Sequence, residues 1–169
     1  MRQHFQMFAA YNHWANGLVY DAAAELDAEA LNRDVGAFFG SLFATMSHIL
    51  VADRIWLQRF TGEGPTYRSL DARPYETLAE LSAARRLEDE RIIGWIDGLS
   101  DAQLQSTITY TPVSNPTPIT NQLGPAVSHV FNHQTHHRGQ CHMALTALGK
   151  PSLALDLIYF LRQKGQVWL

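Results

Sequence analysis

The sequence predicts an all-α fold, a four-helix bundle. Three observations lead there. Apolar residues recur at three- and four-residue steps through four long segments. Glycine, proline and polar turn-formers separate those segments. The chain has 169 residues, 46% of them hydrophobic, which suffices for one core in a single domain spanning 1–169.

The first helix is expected over residues 3–26. Phe5, Phe8, Ala9, Asn12, Ala15, Val19 and Ala22 form its stripe. Residues 27–36 are polar and turn-forming. The second helix is expected over 38–60, with Leu42, Met46, Ile49, Trp56 and Phe60 on its apolar face and Asp53 on the same stripe. Thr61-Gly62-Glu63-Gly64-Pro65 ends it, because glycine suits the C-terminal cap and proline cannot continue a helix.

The third helix starts after Pro74 and runs to residue 96. Leu78, Leu81, Ala84, Leu87, Arg91, Ile92 and Trp95 mark its inward side. The mixed-sign run Arg85, Arg86, Glu88, Asp89 and Glu90 reads as a solvated face. Thr107-Ile108-Thr109-Tyr110 favours strand, and Pro112, Asn115, Pro116 and Pro118 then break the chain. A short hairpin or extended loop is therefore expected before the last long helix, over 122–148. Gly149-Lys150-Pro151 ends that helix, and a short one over 155–163 follows.

Composition narrows the function. A net charge of −3 argues against general nucleic-acid binding and against a polybasic membrane surface. No apolar run approaches the roughly 20 residues that span a bilayer. The single cysteine, Cys141, excludes an internal disulfide and a multi-cysteine metal site. An unstapled domain suits a reducing compartment, so a soluble, cytoplasmic protein is expected.

The histidines stand out. Five of eight (His129, His133, His136, His137 and His142) fall within 14 residues. A four-residue step on a helix returns close to the starting direction, so His129 and His133, or His133 and His137, can aim at one point. Such a pair is half of a metal site, and the third ligand must come from another helix. His48 is the best candidate: it sits among apolar residues, and Thr45 and Ala52, one turn away, are small. His4 and His13 are less framed by apolar residues. Spacing alone leaves two other readings open, a hydrogen-bonded core histidine at 48 and a pH-sensitive patch titrating near pH 6.5.

Rival chemistries lack their motifs. HExxH is absent, since Gln134 stands where its base would be. No Glu-x-x-His occurs, nor GxSxG, GxGxxG or a phosphate-binding glycine loop. Cys141, beside Met143 and Ala144, reads as a core residue rather than a nucleophile.

The chain resembles the DinB/YfiT-like helical-bundle family (not the DNA polymerase sharing the name). The resemblance is carried by Tyr11-Asn12-His13-Trp14-Ala15-Asn16, by His48 followed by Asp53 and Trp56, and above all by Asn132-His133-Gln134-Thr135-His136-His137-Arg138-Gly139-Gln140. It implies an up-down-down-up bundle, commonly a homodimer. It implies a divalent metal held by His48, His133 and His137, its identity among zinc, nickel and iron left open. His129 is then a pocket residue or a support for the ligands, and His136 faces elsewhere.

Related proteins use such a site for transfer or isomerisation with a low-molecular-weight thiol. The implied mechanism has a cofactor thiol ionise at the open metal position and attack an electrophile. A metal-dependent hydrolase, or a non-catalytic metal-binding bundle that binds a partner or small ligand, are the alternatives. Arg138 is expected to pair with Asp53 or to hold the carboxylate of a thiol cofactor. Gly139 is expected to permit close packing.

Overall fold

Capping chemistry sets the ends of the long helices. The computed structural model describes residues 1–113 and 115–169. It has α1 at Arg2–Ala23, a short α2 at Ala28–Asn32, α3 at Leu42–Thr61 and α4 at Leu78–Asp97. A short α5 (Asp101–Leu104) leads into β1 (Thr107–Tyr110) and β2 (Ile119–Gln122). Then follow α6 (Leu123–Ala147), α7 (Leu157–Gln163) and a final 3-10 turn at Gln166–Trp168. The strands pair antiparallel, Thr107 opposite Gln122 and Tyr110 opposite Ile119, so the expected hairpin is present.

Two helix starts lie later than the apolar pattern suggests. The Ser41 hydroxyl accepts the Ala44 N–H at 3.2 Å, so α3 begins at Leu42, and Phe38 is 84% exposed in the preceding turn. Thr77 and Glu80 form a reciprocal capping box that starts α4 at Leu78. Gly62, at φ 77°, closes α3 in the left-handed conformation its sequence context calls for. The polar stretch after α1 hides the one-turn α2, capped by Asp27.

Each long helix contributes to two apolar clusters with a polar layer between them. One cluster gathers Val19, Leu42, Met46, Leu50, Leu81, Cys141 and Leu145. The other gathers Phe5, Ala9, Leu57, Ile92, Ile96, Val127 and Phe131. Along α1 and α6 the chain passes from the second cluster to the first, and along α3 and α4 from the first to the second. The first long helix packs on α4 and α6, and α3 packs on the same two.

The layer between is ionic. Arg85 is 2% exposed, with Nη1 2.5 Å from Asp53 and Nη2 3.0 Å from Asp89. Asn16 donates to Asp89 at 3.0 Å, and Arg138 donates to Asn12 at 2.6 Å and to Asn16 at 3.3 Å. Burial pushes the Asp53 carboxyl up to about 6, against the pull of the Arg85 guanidinium.

Four expectations are corrected here. Arg85, Glu88 and Asp89 are buried, so only part of the charge run on α4 is a solvated face. Its inward side includes those groups instead of Leu87, which is 66% exposed. Arg138 does not pair with Asp53, because Arg85 already holds that carboxylate and Arg138 reaches α1. The space around Gly139 is open, whereas a Cβ at Gly124 would lie 3.0 Å from the Leu104 carbonyl oxygen. Close approach along α6 is therefore at Gly124.

Two stability predictions follow from the ionic layer. Arg85→Met strands two buried carboxylates and should cost about 3–5 kcal/mol in a urea titration; a loss under about 1 kcal/mol would show that the layer is dispensable. His13, with Nδ1 3.7 Å from Asp89, has its pKa raised above 6.5, first by its interaction with the Asp89 carboxylate. A raised histidine pKa stabilises the fold fully below the unfolded value and loses that contribution as pH rises through the folded one. The stability of the wild type over His13→Gln should therefore shrink from about pH 5 to about pH 9; a gap that does not change with pH would remove the His13–Asp89 interaction.

Candidate metal centre

His48 faces α6 from the middle of α3, and it is 4% exposed. The four-residue step on α6 stacks His133 and His137 side by side, their ring centroids 4.3 Å apart. The His48 ring lies 5.1 Å from that of His133 and 4.5 Å from that of His137. One ligand nitrogen from each of the three lies within 4.8 Å of the other two. Among the described residues this is the group of His, Cys, Asp or Glu side chains with that convergence.

Hydrogen bonds decide which nitrogens are free. His48 Nδ1 is 2.7 Å from the Leu70 carbonyl oxygen, which can only accept, so Nδ1 carries the proton and the Nε2 lone pair is bare. His137 Nδ1 donates to Gln140 Oε1 at 2.7 Å in the same way. This is how metal-ligating histidines are oriented in general, with the second nitrogen donating to a carbonyl. His48 Nε2 and His133 Nε2 are 3.2 Å apart. A tetrahedral ion with bonds of 2.0–2.1 Å holds adjacent nitrogens roughly 3.3 Å apart, so the donor set fits a metal.

Electrostatics agree with lone pairs rather than charges. Burial lowers the pKa of His48, and the neighbouring His137 lowers it further. Burial, with His137 and His48 beside it, pushes His133 down to about 3. Burial also lowers His137. Burial thus disfavours the charged form of all three rings and leaves their lone pairs for a ligand.

The remaining histidines have other places. His129 is exposed and stands 5.1 Å from the Trp56 ring and 5.8 Å from that of His133, on the wall of the adjoining cavity and outside the converging group. His136 is exposed and turned toward Gln140. His142 Nε2 accepts the Leu153 N–H at 3.0 Å and ties down the chain after α6. Arg138, the expected cofactor-binding residue, does not line that cavity: it is 3% exposed and bound to Asn12, Asn16 and the Tyr11 ring on the α1 side. Cys141 is fully buried, and burial pushes its thiol up to about 12, as a core residue requires.

Loops complete the site with residues that periodicity does not reveal. Phe39, just before α3, stacks on His48 with centroids 4.0 Å apart and covers His137 at 5.7 Å. Leu70 supplies the carbonyl that orients His48. A cavity of about 270 Å³ opens beside His48 and His133, walled by Ala52, Trp56 and Arg59 of α3 and by Tyr110, Pro112 and Val113 of the hairpin. Gln140 had a legible signal, three residues after a candidate ligand on the same helix face.

Comparison with known proteins finds similarity over most of the chain. The DinB family model matches residues 1–166. Protein DinB of Bacillus subtilis (strain 168) is 25% identical over 162 residues, covering 86% of this chain and 87% of that protein.

The orienting bonds can be tested through metal affinity. Gln140→Leu frees His137 Nδ1 and should weaken zinc binding about tenfold or more in a chelator competition, with helicity unchanged. His48→Ala should weaken it further; unaltered affinity in either variant would remove that residue from the centre.

Proposed function

The chain belongs to the DinB family, and on that premise we propose that it is a divalent-metal-dependent enzyme that transfers or isomerises a small electrophile by means of a low-molecular-weight thiol. The observation that carries the reading is the preparation of the donors. His48 and His137 each spend Nδ1 on an oxygen acceptor and keep Nε2 free, and His48 Nε2 lies 3.2 Å from His133 Nε2. His48, His133 and His137 would hold the ion, and its chemistry is to lower the pKa of a thiol or water bound to it.

The residues around it favour a thiol brought from outside. Cys141, the one thiol of the chain, is buried in the core. Ala52 leaves room beside His48, and the cavity that reaches His48 and His133 is large enough for a small molecule. The Trp56 and Tyr110 rings limit water around a substrate there. No carboxylate lines that cavity among the described residues, so a hydrolytic water would have only His129 as its base. A thiol already ionised needs no base. This weighs against the hydrolase, which would use the same ligands. A structural zinc would be closed by a fourth protein ligand, and His129, the nearest candidate, lies outside the converging group.

Elemental analysis of tag-free protein tests the reading. About one divalent ion per chain, lost in His133→Ala/His137→Ala, is expected. The loaded protein should then consume an electrophile only when thiol is added. No bound ion after addition of zinc or nickel would overturn the metal centre, and thiol-independent turnover would favour the hydrolase.

A further inference from the structure

Among the described residues that line the cavity beside the histidines, the one fixed charge is Arg59. The residue lies on the last turns of α3 and is half-buried. Its guanidinium carbon sits 4.7 Å from the Trp56 ring centroid and 4.5 Å from that of Tyr110, so aromatic faces flank it. Nη2 donates to the Thr111 carbonyl at 3.3 Å. Among the described residues no carboxylate lies within salt-bridge distance of it.

The other inward-facing arginines of the middle helices differ. Arg54 reaches Glu88, Arg91 reaches the same carboxylate, and Arg85 reaches Asp53 and Asp89. A half-buried guanidinium with five donors, one carbonyl acceptor and no counter-charge is costly unless something else completes it. Burial accordingly lowers its pKa. Anchoring the hairpin explains the contact with Thr111 but not the missing anion.

We propose that Arg59 is the anion-binding residue of this site, and that the small molecule taken there carries a carboxylate several bonds from the group that reaches the histidines. The inference rests on the reading above that the histidines hold a metal and a thiol. One guanidinium balances one negative charge, which favours a carboxylate over a doubly charged phosphate. The planar fork of arginine accepts a carboxylate through two parallel hydrogen bonds, and the flanking rings hold that fork in place. From His133 to Arg59 the wall passes the rings of His129 and Trp56, so the two ends of the ligand are separated by a chain of atoms rather than by one bond.

The probes are mercaptohexanoate and its uncharged counterpart mercaptohexanol, titrated into cobalt-loaded wild type, Arg59→Met and Arg59→Lys. Tryptophan fluorescence reads occupancy of the cavity, and the sulfur-to-cobalt charge-transfer band reads the thiol at the metal. Wild type should bind the carboxylate about tenfold or more tightly than the alcohol. The preference should vanish in Arg59→Met and partly return in Arg59→Lys. A merely structural Arg59 would weaken both probes together and leave their ratio unchanged, which would overturn the proposal. Equal binding by wild type, or no binding of either probe, would overturn it too. Carboxylate preference without the charge-transfer band would keep Arg59 in its role and remove the thiol reading. The band without a preference would do the reverse.

Discussion

The ionic layer around Arg85 is the constraint on which the rest depends. Four long helices pack through two apolar clusters, and apolar contacts alone tolerate sliding by a turn. The layer does not. Asp53 from α3, Arg85 and Asp89 from α4, Asn12 and Asn16 from α1, and Arg138 from α6 all meet at one level of the bundle. A helix displaced by one turn would leave a charge facing leucine or isoleucine, where an unpaired ion costs several kcal/mol. Burying these groups is not the cheapest way to fill a core, but it makes one alignment far better than its neighbours.

Alignment is what the histidine site needs. His48 lies a little more than one turn from Asp53 on α3, and on α6 His133 and His137 bracket Gln134, with Arg138 next to His137. The register that pairs Asp53 with Arg85 therefore also helps bring His48 opposite His133, with their Nε2 atoms 3.2 Å apart. Leu70 and Gln140 then set ring orientation, and Phe39 covers the ligand face. The polar layer stands behind the site, and the loops stand in front of it. The β-hairpin closes the remaining side, and the Arg59–Thr111 bond joins it to α3.

The two charged regions serve opposite ends. In the layer every carboxylate has a cation near it, and the groups are sealed from solvent. In the cavity burial disfavours charge on the rings, and among the described residues no carboxylate pairs with Arg59. Such a division is expected when a rigid bundle presents a candidate site between helix faces and loops.

Much of this was legible in one dimension. Helical periodicity identified the four long helices, because 3.6 residues per turn is a local property of the chain. The four-residue step made His133 and His137 neighbours for the same reason, and glycine and proline marked the C-terminal ends of α3 and α6. His48 stood out by its apolar setting and small neighbours, but only the family resemblance tied it to His133 and His137, since nothing local links it to α6. Tertiary structure alone decided the rest. The charges of α4 look like a solvated face until Asp53 is brought against them, and Arg138 looks like a partner for Asp53 until Arg85 is seen to occupy that place. Leu70, Phe39 and Arg59 acquire their roles only when segments far apart in sequence meet. Partners across the bundle depend on register and packing, which no local period encodes.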